Sequence, residues 1–216
     1  MITVHAFVFN PFSENTYVVY DETKEALIID PGCYEPQEQK ALKDFIQSRR
    51  LTVKLLINTH CHIDHVLGND FVKTTYRVPL LIPPLEENLL RAVKAYAPNY
   101  GFVNYREAEP DRWLHEGDNI TWGNSQLKVL SLPGHSPGHI GLYSQAQQFL
   151  ISGDVLFQGS VGRTDLPGGD MDTLIDSIHK KLFVLPDEVV VYTGHGSETT
   201  LGEEKKTNPF CALPVE

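Results

Sequence analysis

The chain has 216 residues, 41 % of them hydrophobic and 21 % charged, which suits a soluble globular protein with one substantial core. A formal net charge of −10 argues against a nucleic-acid partner, because displacing counterions from phosphates needs a basic face. No stretch approaches the run of about eighteen apolar residues that a transmembrane helix requires, so no membrane association is expected.

In chain order, three strand-like runs come first, Ile2–Phe9, Thr16–Tyr20 and Ala26–Asp30, closed by the turn signal Pro31-Gly32. Residues 37 to 49 carry Ala41, Leu42, Phe45 and Ile46 at helical spacing, and Val53–Ile57 is a short apolar run that predicts a buried strand. Directly after it stands Thr59-His60-Cys61-His62-Ile63-Asp64-His65. A helix over Asn69–Tyr76, a strand over Val78–Ile82 stopped by Pro83-Pro84, and a helix over Leu85–Ala97 follow. Residues 98 to 118 read as irregular and hold Tyr100, Phe102, Tyr105 and Trp113. Strands are then expected at Asn119–Trp122, Gln126–Leu132, Ile140–Ser144, Phe149–Ser152 and Val189–Tyr192, with helices over Met171–Phe183 and Glu198–Lys206. This order predicts a layered α/β sandwich, with helices outside two sheets.

The amino terminus lacks the charged, apolar and small-residue regions of a signal peptide, and Cys33, Cys61 and Cys211 are an odd number in unrelated contexts. No disulfide framework is expected, and a reducing cytoplasm fits. Cys61 alternates away from its histidine neighbours and reads as a small buried filler.

His60, His62, Asp64 and His65 are all good ligands for a borderline-soft divalent metal, and they sit where a strand gives way to a loop. Alternation sends His60 and His62 one way; after the chain turns, Asp64 and His65 can face a second nearby point. Two metals would need more ligands, and other strand ends offer them. Each end is a strand, a glycine that permits a sharp turn, and a ligand-type side chain: Gly134-His135, Gly153-Asp154 and Gly194-His195.

This ordered set, with Asp30 in Leu27-Ile28-Ile29-Asp30-Pro31-Gly32, resembles the metallo-β-lactamase superfamily over nearly the whole chain. Within it the chain is similar to the short, single-domain type II glyoxalases, or hydroxyacylglutathione hydrolases, through Asn15-Thr16-Tyr17, Gly162-Arg163-Thr164-Asp165 and Asn208-Pro209-Phe210. The resemblance implies a four-layer αβ/βα sandwich of two mixed sheets flanked by helices. It also implies one domain over 1–216 without the C-terminal helical domain that helps larger relatives bind glutathione. It implies two divalent metals, zinc first with iron or manganese as alternatives. Metal one would sit on His60, His62 and His135, metal two on Asp64, His65 and His195, with Asp154 bridging both. Asp30 would stand behind the ligands and orient them, Asp64 and Asp154 would serve catalysis, and Arg163 would bind substrate. The implied reaction is hydrolysis of a small thioester of the S-lactoylglutathione type by a metal-bridging hydroxide.

The chief rival is a persulfide dioxygenase, an oxidoreductase of the same fold with a single iron on the equivalents of His60, His135 and Asp154. Gly196 after His195, where those enzymes commonly carry aspartate, leans towards the hydrolase. A lactamase fits less well because the family's substrate-binding features are missing, and a non-catalytic metal protein is disfavoured by the intact ligand set. Among the remaining histidines, His5 and His115 read as structural, His179 as solvated, and His139 as a neighbour of His135 that could support a ligand. The aromatic segment 96 to 113 reads either as a lid or as padding of the outer core.

Overall fold

A computed structural model describes residues 1–214. The chain gathers into two compact units: Met1–Leu114 with Thr121–Gln126, and His115–Ile120 with the chain from Leu127 onward.

The first unit is built on a six-stranded mixed sheet in the order β1-β2-β3-β4-β5-β6. Its elements are β1 (Thr3–Phe9), β2 (Glu14–Tyr20), β3 (Glu25–Ile29), α1 (Pro36–Arg49), β4 (Thr52–Ile57), α2 (Ile63–Val66), α3 (Asn69–Tyr76), β5 (Leu80–Ile82), α4 (Glu87–Tyr96) and β6 (Arg112–Trp113). The first three strands run antiparallel, and β3, β4, β5 and β6 pair in parallel. Alternation turns Val18, Tyr20, Ala26, Ile28, Val53 and Leu56 to one face, where Leu42 and Ile46 of α1, Val72 of α3, and Leu90 and Val93 of α4 close the core. Between the Ala26–Val53 and Leu27–Leu55 pairs the register shifts, which lets Lys54 leave the ladder and pair with Glu25 at 3.2 Å.

Helix α1 begins on a proline, where the missing N–H costs nothing, and Glu38 reaches back to the N–H groups of Tyr34 at 2.8 Å and Glu35 at 3.0 Å. It stops at Arg50, in the left-handed region at φ 54°. The tip at 121–126 is fixed by side chains of the same unit. Asp21 accepts from Asn124 N–H and Ser125 Oγ, both at 2.8 Å, and Glu25 from Gly123 N–H at 2.8 Å.

The second sheet, also mixed, has the order β14-β13-β10-β9-β8-β7. Its strands are β7 (Asn119–Trp122), β8 (Ser125–Ser131), β9 (Ile140–Ser144), β10 (Phe149–Gly153), β13 (Val190–Thr193) and β14 (Thr199–Thr200). A small hairpin, β11 (Leu156–Phe157) and β12 (Ser160–Val161), stands apart. The remaining α-helices are α5 (Met171–Ser177) and α6 (Leu201–Thr207). In the second unit Leu130, Leu150, Val155 and Val191 pack with Leu174, Ile178, Leu182 and Leu201.

The expected strands and helices form, with corrections; the helix expected from Leu85 opens with a 3₁₀ turn, Pro84–Glu86, and the hairpin of β11 and β12 lies outside any expected element. The predicted helix over Met171–Phe183 is α only to Ser177; Ile178–Leu182 is a π turn closed by Phe183 N–H to Ile178 O at 2.8 Å. The helix expected at Glu198–Lys206 starts at Leu201, because Thr199–Thr200 pairs as a strand and Thr200 Oγ1 caps Glu203 N–H at 3.2 Å. Segment 98–118 is not wholly irregular: Ala97–Tyr100 is a 3₁₀ turn and Arg112–Trp113 adds an edge strand. The short helix α2 forms within the histidine-rich stretch itself. Among the described residues no helix is long and apolar enough to cross a membrane.

Candidate metal centre

In the first unit β4 ends at Ile57, and the next five residues lead without regular structure into α2. Asn58 ties this loop down, its Nδ2 donating to the His65 carbonyl at 3.0 Å and to Asn69 Oδ1 at 3.2 Å. Asp30, at the end of β3 and in the left-handed region at φ 48°, accepts from Thr59 N–H at 2.7 Å and Thr59 Oγ1 at 2.6 Å. The His60 ring then lies 4.8 Å from that of His62 and 4.2 Å from that of His65. His62 precedes α2, so Asp64 and His65 fall in the first turn, with Asp64 Oδ2 3.6 Å from His65 Nε2. Behind the ring, Asp30 Oδ2 is 3.3 Å and Glu14 Oε1 3.9 Å from His65 Nδ1. Asp30, His60 and His65 are buried and offer ligand atoms within 4.8 Å of one another. Cys61 is buried with its N–H on Glu86 Oε2 at 2.9 Å, and burial pushes its thiol far from ionisation, as a filler requires.

In the second unit three strand ends deliver His135, Asp154 and His195. His135 Nδ1 donates to the Arg163 carbonyl at 2.7 Å; since a carbonyl only accepts, Nδ1 carries a proton, and in the neutral ring the lone pair is on Nε2. That nitrogen is 3.5 Å from Asp154 Oδ2, and His195 Nε2 is 3.5 Å from the same oxygen. Asp154 N–H donates to His139 Nε2 at 3.1 Å, so the buried His139 holds the loop that carries the carboxylate. Gly162 packs tightly here: a Cβ would come 1.9 Å from the Asp154 carbonyl oxygen and 3.0 Å from His135 Nδ1. Arg163 is exposed and forks onto Asp165 with two contacts of 2.7 Å, which holds the Asp165 carboxyl down at about 2.

The separations test whether a metal fits. Separations of 3.5 and 3.6 Å between carboxylate oxygen and imidazole nitrogen are too long for good hydrogen bonds. Two ligands on one tetrahedral ion, with bonds of about 2.1 Å, stand about 3.4 Å apart. A donor set of imidazoles and carboxylates suits zinc, iron or manganese.

Of the other histidines, His5 stacks on Phe45 at 4.1 Å and His115 is exposed. His179 is half-buried rather than solvated, its Nε2 on the Cys211 carbonyl at 2.8 Å. Glu14 lies before the expected start of its strand, with the polar Asn15 and Thr16 between it and the apolar run Tyr17–Tyr20, which was the available signal.

The sequence pattern of the metallo-beta-lactamase superfamily matches residues 9–195. Hydroxyacylglutathione hydrolase GloC of Haemophilus influenzae is 39 % identical over 201 residues, covering 92 % of this chain and 93 % of that protein. The mitochondrial persulfide dioxygenase ETHE1 of Mus musculus is 32 % identical over 208 residues, covering 93 % of this chain and 72 % of that one. Two solved structures superpose closely. The BLEG-1 B3 metallo-beta-lactamase has a TM-score of 0.87 and 37 % identity, covering 98 % of this chain and 99 % of that one. TTHA1623 in a di-iron-bound form has a TM-score of 0.86 and 38 % identity, covering 96 % and 100 %.

Proposed function

Given that the chain belongs to the metallo-beta-lactamase superfamily, we propose that it is a dinuclear metallo-hydrolase cleaving small thioesters of the hydroxyacylglutathione type. The proposed ligands are His60, His62 and His135 for one metal, and Asp64, His65 and His195 for the other, with Asp154 shared. One observation carries this reading: a single oxygen, Asp154 Oδ2, stands 3.5 Å from both His135 Nε2 and His195 Nε2, so Asp154 could share in holding the ions that either histidine would ligate. Similarity to a di-iron structure supports two metals, and similarity to GloC supports the thioester. In this reading residues 1–216 work as one catalytic domain, and three free, buried thiols suit a reducing cytoplasm.

Bound there, divalent cations supply Lewis acidity and lower the pKa of water towards neutrality. The chain's own groups do the rest. The Arg163 carbonyl fixes the His135 tautomer, Asp30 steadies His65, and His139 holds the Asp154 loop. Asp64 is the group that would orient or deprotonate the attacking water, besides serving as a ligand. Arg163, solvent-exposed and cationic, meets a substrate carboxylate once it leaves Asp165.

The 32 % identity with a persulfide dioxygenase gives a second reading, a single iron on His60, His135 and Asp154. Metal analysis with parallel assays on one preparation separates the two. Two metals per chain with S-lactoylglutathione cleavage is the expected result. One iron with oxygen uptake on glutathione persulfide would overturn it. A β-lactam is run beside them, since one similar structure is a lactamase.

A further inference from the structure

Glu14 opens β2, a strand buried along its whole length, and its side chain is fully buried. Its Oε2 accepts from Thr16 Oγ1 at 2.9 Å, and that hydroxyl in turn accepts the Gly32 N–H at 2.9 Å. Its Oε1 has no hydrogen bond among the described residues and stands 3.9 Å from His65 Nδ1. Gly32 shows how closely the surrounding chain is drawn in. A Cβ there would come 2.1 Å from Glu14 Oε2, 2.5 Å from Asn10 Nδ2 and 2.7 Å from the Asp64 carbonyl oxygen. Asn10 Nδ2 also donates to that carbonyl, at 3.0 Å. Glu14 thus sits directly behind both Asp64 and His65.

Fold stability gives no reason for such a group. A buried carboxylate costs several kcal/mol unless paired, and among the described residues its ion-pair partner is His65, which Asp30 already approaches at 3.3 Å. Glutamine would keep the Thr16 hydrogen bond with no charge to bury. What the carboxylate adds is a second negative oxygen on the Nδ1 side of His65, whose Nε2 faces Asp64 at 3.6 Å.

We propose that Glu14 is a positioning residue for the metal that Asp64 and His65 would hold: Asp30, at 3.3 Å, orients the His65 ring, and Glu14, 3.9 Å away on the same side, supplies negative charge that a divalent cation there would balance. The inference rests on the dinuclear reading above. The test titrates zinc into metal-free wild type, Glu14→Gln and Glu14→Asp against a chromophoric chelator, alongside far-UV circular dichroism and melting of the metal-free forms.

Two zinc sites in the wild type are expected. Glu14→Gln should keep one of them and lose about 10- to 100-fold in affinity at the other. Its metal-free form should melt at or above the wild-type temperature, and Glu14→Asp should recover part of the loss. Two sites in the wild type, with both affinities unchanged in Glu14→Gln, overturn the inference alone. So does a metal-free Glu14→Gln that melts well below the wild type, which makes the role structural. A single site in the wild type overturns the dinuclear reading and this inference with it.

Discussion

Around the ligands, much of the work falls to residues that would not bind metal. His139 is the clearest case: its Nε2 takes the N–H of Asp154 at 3.1 Å in a fully buried setting. His139→Phe should leave that N–H without an acceptor, cost about 1–3 kcal/mol in urea denaturation, and lower metal content. Unchanged stability and metal content would show that Asp154 is held by other groups. The seven proposed ligands were legible in sequence because ligand types cluster at strand ends. Asp30 and His139 were legible as supports as well, but the Glu14 carboxylate and the Arg163 carbonyl were not. The Glu14 carboxylate reaches His65 across fifty-one positions of chain (65 minus 14), and the Arg163 carbonyl reaches His135 across twenty-eight, so no local pattern announces either contact.

Between elements, β1 meets α1 through rings: His5 stacks on Phe45 at 4.1 Å and stands edge-on to Phe7 at 4.7 Å. Burial lowers the His5 pKa from its ordinary 6.5, and the nearby Arg49 cation adds to the effect. The unfolded chain therefore binds this proton more readily than the folded one. The contribution to stability is full above pH 6.5 and is lost as pH falls through the folded-state value. The melting temperature should drop from pH 7.5 to pH 5.5 by more in the wild type than in His5→Phe; equal drops would clear His5 of the effect. Strand alternation and helical stripes carried nearly all of these elements in the sequence. The π turn at Ile178–Leu182 escaped because Leu174, Ile178 and Leu182 keep an α-like stripe through it. Helix α2 escaped because four residues are too few for any periodicity.

For the molecule as a whole, carboxylates gather where cations are proposed. Glu14, Asp30 and Asp64 surround His65, and Asp154 stands beside His135 and His195. Chelation should lower the melting temperature, and added zinc should restore it in proportion to the logarithm of free metal. The gain is about 4 kcal/mol when free metal exceeds Kd a thousandfold. A melting temperature indifferent to chelator would mean that the folded chain needs no cation. The return of residues 121–126 to the first unit has a consequence for synthesis. A nascent chain that has reached Leu114 holds every strand of the first sheet, yet Asp21 and Glu25 still lack Gly123, Asn124 and Ser125. Only when eleven more residues (125 minus 114) have left the ribosome can the tip close on those carboxylates, so neither unit can be made as one uninterrupted fragment.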